Sequence, residues 1–231
     1  MISKAHNIIL SEKEWHANMA TDMQQLCGGK WTRIDNKKDF NIEKLRKLAP
    51  DRIFIPHWSY IIIPEIYQEF ECIIFHMTDL PYGRGGTPLQ NLIVRGHTTT
   101  KISAIRCQDG IDTGPLYMKS PLSLHGTARE IFVRAAAIIQ SMIYYVVSEN
   151  PEPVSQEGDV VLFKRRTPRQ SDISNIEDLN KLYDIFRMLD CEGYPNAYLE
   201  TKTLKIEFSK PQKELKFIKA NAIITLLEKK N

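Results

Sequence analysis

Two short stretches hold residues whose types and spacing suit acid–base chemistry. The first runs Phe75-His76-Met77-Thr78-Asp79-Leu80-Pro81-Tyr82-Gly83-Arg84-Gly85-Gly86-Thr87-Pro88. It sets a histidine at the end of an apolar run and follows it with a loop of three glycines and two prolines. Histidine exchanges a proton near neutral pH, and the ligand crevice of an open α/β sheet lies beyond the carboxyl ends of its strands. From spacing alone, a buried histidine with satisfied nitrogens beside an ordinary turn reads equally well. The second stretch, Gln108-Asp109-Gly110-Ile111-Asp112-Thr113-Gly114-Pro115, places two acids in a tight turn after another strand-like run. Taken alone, Asp112 reads first as a turn-former. Other chemistries are missing. Neither HExxH nor GxSxG occurs, the cysteines at 27, 72, 107 and 191 form no CxxC pair, and no metal-ligand set is read. The first glycine is Gly28, so neither a dinucleotide fingerprint nor a P-loop follows the first strand.

The elements that must position these residues follow from short apolar runs alternating with helix-like segments. Strands are expected at Asn7–Leu10, Trp31–Ile34, Arg52–Ile55 and Cys72–Phe75, with helices between them. Ser11, with Glu14 three residues on, is expected to cap a helix running through Cys27. Further helices are expected at Asn41–Leu48 and Ile63–Phe70, and one starts at Leu89–Val94. Lys101–Cys107 and Leu116–Lys119 extend the sheet, and Ala128–Val147 is the longest periodic helix. After Asn150-Pro151-Glu152-Pro153 come Val160–Phe163, a helix at Ile176–Leu189, and strands at Ala197–Leu199, Leu204–Phe208 and Phe217–Thr225. This predicts an α/β fold: a Rossmann-like, mostly parallel sheet with helices on both faces, over residues 1–165. A short helix and β-strand extension occupies 166–231.

Length and composition agree with that plan. The 231 residues are 42% hydrophobic and 26% charged, which excludes a disordered or fibrous chain. The net charge of +3 is too small to imply nucleic-acid binding by itself. It is uneven, because Lys202–Asn231 holds eight lysines against three glutamates, or +5. The longest apolar runs, such as Ile61–Ile63 and Cys72–Phe75, fall far short of the roughly 20 residues of a membrane span. Met1–Asn7 carries no long apolar stretch, and the chain is read as cytoplasmic.

Together, His76-x-Thr78-Asp79-Leu80-Pro81 with Arg84-Gly85, and Gly110-Ile111-Asp112-Thr113-Gly114-Pro115, resemble the formyltransferases that use N10-formyltetrahydrofolate. The family pattern is Asn-x-His-Pro-Ser-Leu-Leu-Pro, then Arg-Gly, then Leu-Asp-Thr-Gly. The similarity runs from about Phe54 to Ala137. Phe54-Ile55-Pro56-His57-Trp58-Ser59 and Gly126-Thr127-Ala128-Arg129-Glu130-Ile131 resemble the bacterial nucleotide-sugar N-formyltransferases, in particular those of pseudaminic-type nonulosonic acid pathways. The resemblance implies an amine attacking the formyl carbon through a tetrahedral intermediate. His76 would stabilise the oxyanion or handle the amine proton, and Asp112 would orient His76.

Carried over, the cofactor would lie against the backbone of Trp58-Ser59-Tyr60-Ile61-Ile62 and Cys107-Gln108-Asp109-Gly110, with Trp58 and Tyr60 reading equally as core aromatics. Thr78, Arg84 and His57 are candidates to meet the substrate, a nucleotide-linked amino sugar. One departure stands out. The family asparagine falls at Ile74, which cannot donate a hydrogen bond. His76 with a backbone N–H or water could hold the oxyanion, an amide such as Gln90 or Asn91 could substitute, or the chain could be a non-catalytic folate-binding relative. Of these, an active enzyme is the favoured reading. A methionyl-tRNA formyltransferase is the alternative, set aside because the 65 residues after Arg166 are short for a nucleic-acid domain. The extension is expected instead to support a homodimer.

Overall fold

The computed structural model describes residues 5–227, so Met1–Lys4 and the tail charges Glu228, Lys229 and Lys230 lie outside the described residues. The chain forms two units that interleave in sequence. One comprises residues up to 85 with 100–122 and 133–162, and the other comprises 86–99, 123–132 and 163 onward.

The first unit is built on a six-stranded sheet of β1 (His6–Ser11), β2 (Lys30–Ile34), β3 (Arg52–His57), β4 (Glu71–His76), β6 (Thr99–Arg106) and β7 (Leu116–Ser123), ordered β2-β1-β3-β4-β6-β7. β2, β1, β3 and β4 are parallel, and β6 runs antiparallel to β4. The central strands are buried on both faces, which is why they read as unbroken apolar runs. Ile8, Leu10, Ile53, Ile55 and Cys72 pack with Leu45 of α2 (Ile42–Leu48) and Ile66 of α3 (Pro64–Glu69). The residues alternating with them, Ile9, Phe54 and Ile73, are as deeply buried, and Phe54 stacks on Trp31 at 5.7 Å. β5 (Tyr82–Gly85) pairs with β8 (Val161–Phe163) in a separate two-stranded sheet.

Ser11 departs from its expected role. A short 3₁₀ turn at Glu14–His16 follows it, and α1 spans only Met19–Cys27 behind Asn18. The Ser11 hydroxyl is instead bonded to His16 Nδ1 at 2.8 Å, so a buried partner outcompetes the local cap. α5 (Ala128–Glu149) has the length and apolar composition of a membrane-crossing helix, but Ile131, Ala135, Ile139, Met142, Ile143 and Val146 on it are buried in the protein core.

The second unit holds α4 (Pro88–Val94), α6 (Leu179–Leu189) and a three-stranded antiparallel sheet, β9 (Ala197–Glu200), β10 (Leu204–Lys213) and β11 (Ile218–Leu226), ordered β11-β10-β9. Asp178 caps α6 by accepting from the Lys181 N–H at 2.8 Å. Phe186 of α6 stacks on Phe208 of β10 at 5.1 Å, and buried Arg187 donates to the carbonyls of Leu124 and Gly126.

Candidate active site

His76 ends β4, and Cys72, Ile74 and His76 share one face of that strand because side chains alternate. β6 runs back along β4, so the chain leaving it starts beside Cys72, where the Cys107 N–H donates to the Cys72 carbonyl at 2.7 Å. The 107–115 turn then brings Asp112 to His76, with Nδ1 and Oδ2 3.4 Å apart and both side chains nearly buried. His76 Nε2 is 2.8 Å from the Gly83 carbonyl. A carbonyl only accepts, so that nitrogen carries a hydrogen. The second Asp112 contact is the Gly85 N–H, which donates to Oδ2 at 2.9 Å.

The turn explains its own sequence. Asp112 sits at φ +54, a left-handed conformation that a non-glycine residue adopts only when its surroundings hold it. Thr113 donates its hydroxyl to the Asp109 carbonyl at 2.6 Å. A Cβ on Gly114 would stand 1.7 Å from the Arg106 carbonyl oxygen, so only glycine lets the backbone approach this closely.

The other expected site residues fall in several places. Ile74, at the family asparagine position, is half-buried and packs against two buried apolar clusters, one that includes Ile62 and Cys72 and one of Leu80, Ile105 and Leu116. Trp58, Ile62 and Cys107 belong to one apolar cluster, which brings the 58–62 and 107–110 segments together while Ser59, Gln108, Asp109 and Gly110 stay exposed. Burial, and after it Asp112, pushes the Cys107 thiol up to about 11. Tyr60 is exposed beneath Lys37, whose Nζ is 4.2 Å from the ring centre. Thr78 is wholly buried, and its hydroxyl points to the Gly83 carbonyl at 3.4 Å, internal to the loop. Asp79 meets Lys119 and Lys101 at 2.5 and 3.0 Å; these outweigh the opposing effect of burial and hold its carboxyl below the usual range. Arg84 donates through Nε and Nη2 to Gln156 Oε1, at 3.1 and 2.8 Å.

His57 ends β3 opposite Ser11, 5.9 Å from the Trp15 ring. Burial, reinforced by Lys13, holds it down to about 3. Neither proposed amide substitute is open. Asn91 donates to the carbonyls of Gly86, Thr87 and Lys164, and its oxygen accepts from Arg95. Gln90 donates to the Met188 carbonyl at 3.1 Å. A local helix pattern shows that these amides exist but not that folding commits both to backbone. Gln156 was not foreseen, because it acts through contacts more than 40 residues away with no local motif around it. The roles of Gly83 and His16 were not foreseen because a carbonyl and a lone histidine carry no pattern of their own. Grooves of about 400 Å³ around Asp190 and Lys210 and about 370 Å³ around Trp15 and Asn18 contain none of the His76–Asp112 residues. No cluster of three metal-ligating side chains exists among the described residues.

The protein-family model described as Formyl transferase matches residues 6–133, more than half of the chain. The chain belongs to the formyl transferase family. A second model, described as Methionyl-tRNA formyltransferase, C-terminal domain, matches residues 168–225 of this formyl transferase. The solved methionyl-tRNA formyltransferase from Clostridium thermocellum is 45% identical to it, covers 96% of this chain and 99% of its own, and superposes with a TM-score of 0.93. The curated methionyl-tRNA formyltransferase of Clostridium botulinum (strain Alaska E43 / Type E3) is 26% identical over 187 residues, 78% of this chain and 60% of that protein. The chain therefore spans about 60% of the length of that curated relative. A sugar N-formyltransferase from Shewanella sp FDAARGOS_354 covers 93% of this formyl transferase and 100% of its own chain, with a TM-score of 0.72 but 13% identity. That likeness is one of fold alone.

Proposed function

We propose that this formyl transferase moves the formyl group of N10-formyltetrahydrofolate to a primary amine, and that the amine is the aminoacyl nitrogen of methionyl-tRNA. The transfer rests on the enclosed His76–Asp112 couple, 3.4 Å apart at the end of β4. The donor set suits a pterin: an apolar floor of Trp58, Ile62 and Cys107, edged by exposed backbone at Ser59 and at Gln108–Gly110. N10-formyltetrahydrofolate supplies a formyl carbon already joined to a nitrogen leaving group. An attacking amine must be neutral and must shed a proton as its new bond to that carbon forms. His76 and Asp112 take up that proton and hold it where the departing nitrogen can receive it. With isoleucine at 74 and both His76 ring nitrogens engaged, the oxyanion falls to backbone or water donors.

For the acceptor, the support is the match over residues 168–225 together with the 45% identity to a protein named methionyl-tRNA formyltransferase. This departs from two expectations: an amino-sugar acceptor, drawn from the resemblance of the 54–59 and 126–131 stretches, and an extension too short to serve a nucleic acid, drawn from length. The homodimer expected from the extension has no support of its own. The test is incubation with N10-formyltetrahydrofolate and either methionyl-tRNA or a panel of nucleotide-linked amino sugars, with product mass read for one added formyl group. Formylmethionyl-tRNA is the expected product. A formylated sugar in its place overturns the acceptor, and folate binding with no transfer to any amine overturns the transfer itself.

A further inference from the structure

Gln156 lies in the irregular segment between α5 and β8, outside every motif described above. Its place is set two residues earlier, where Val154 and Leu116 exchange both backbone hydrogen bonds, at 2.7 and 2.9 Å. The side chain then uses its whole amide. Nε2 donates to the Asp112 carbonyl and to the Gly114 carbonyl, each at 2.8 Å. Oε1 accepts from Arg84 Nε and Nη2 at 3.1 and 2.8 Å. The orientation is unambiguous, because carbonyls only accept and a guanidinium only donates.

We infer that Gln156 is a positioning residue for the His76–Asp112 couple, fastening the 112–114 turn to the Arg84 strand so that the Asp112 carboxylate meets His76. The inference rests on the formyl-transfer reading above. Asp112 has a left-handed backbone, and its side chain touches Gly85 and His76. The carbonyls of Asp112 and Gly114 are held by one amide, and the same amide holds the Arg84 side chain of β5, the strand that supplies Gly85. The strand carrying Gly85 and the turn carrying Asp112 are thus tied at a second point. A shift of about 1 Å in catalytic geometry is enough to cost on the order of 100-fold in rate. Glutamate in this place would set carboxylate oxygens against two carbonyls, whereas alanine would leave those carbonyls without a donor.

The test compares Gln156→Ala and Gln156→Glu with the wild type in two readouts. In steady-state formyl transfer, kcat is expected to fall about 10- to 100-fold with KM for the formyl donor changed less than about threefold, and Glu, though isosteric, is expected to be no better than Ala. In NMR titration of the His76 imidazole, both variants are expected to move its midpoint toward that of Asp112→Asn. The NMR readout needs no turnover, so a wild type inactive on every acceptor sinks the formyl-transfer reading while the positioning role is still measured. Either a wild-type kcat with an unchanged His76 midpoint in both variants, or full rescue by Glu, overturns the proposal.

Discussion

At His76 the ring is fixed through both nitrogens, by the Gly83 carbonyl on Nε2 and Asp112 on Nδ1. The Nδ1–Oδ2 contact is the place where the couple can take up the one proton that an attacking amine must lose. His76→Ala and Asp112→Asn are each expected to lower kcat by about 10² to 10⁴ with folding intact, read by formyl transfer beside circular dichroism. Near-normal turnover by either would remove that residue from the reaction. Ile74 gives a second test. It stands in the row between Cys72 and His76, so Ile74→Asn puts an amide donor where relatives of this fold carry one. We expect kcat to rise about tenfold or more, and stability to fall by roughly 1–3 kcal/mol as a packed apolar group is replaced by a polar one. A melting temperature lowered with no gain in kcat would show that a side-chain donor does not limit the rate.

The 107–115 turn shows best what the amino-acid order reveals of an element. Its glycines and acids were legible because Gly114 must approach the Arg106 carbonyl and Asp112 must sit at φ +54, demands that few residue types meet. Gly114→Ala is therefore expected to displace the turn, lower the melting temperature by several degrees and reduce turnover along with it. Unchanged melting and activity would show that the close approach is not needed. The buried strands were legible for a comparable reason, since two covered faces force runs such as Ile8-Ile9-Leu10. Ser11 misled because a serine three residues before a glutamate is a sound local cap signal, and only folding brings His16 within reach of the hydroxyl. Gln156 was silent for want of any signal. One glutamine in a polar segment has no period or spacing, and its partners lie more than 40 residues away in sequence.

Stability of the whole chain should carry the mark of its enclosed histidines. His16 is buried; burial first, then His57, Arg33 and Lys13, hold its ring down to about 3, against an ordinary value of 6.5. An unfolded chain binds this proton below about pH 6.5 and the folded one does not, so stability is complete above that value and falls as pH drops toward 3. The slope within that window is about 1.4 kcal/mol per pH unit for one such group. Urea midpoints at pH 7.5 and 5.5 should differ accordingly, and His16→Gln should shrink the difference, leaving the part that His57 contributes; a wild-type midpoint independent of pH over this range would contradict it. The connectivity of the two units bears on how this enzyme could be re-engineered. The chain passes between them five times, so no single cut separates them. A graft that swaps everything after residue 167 for the corresponding part of a relative would keep 86–99 and 123–132 from the old parent. Exchanging the second unit whole would take three segments together, and a hybrid made at one junction would mix two parents within that unit.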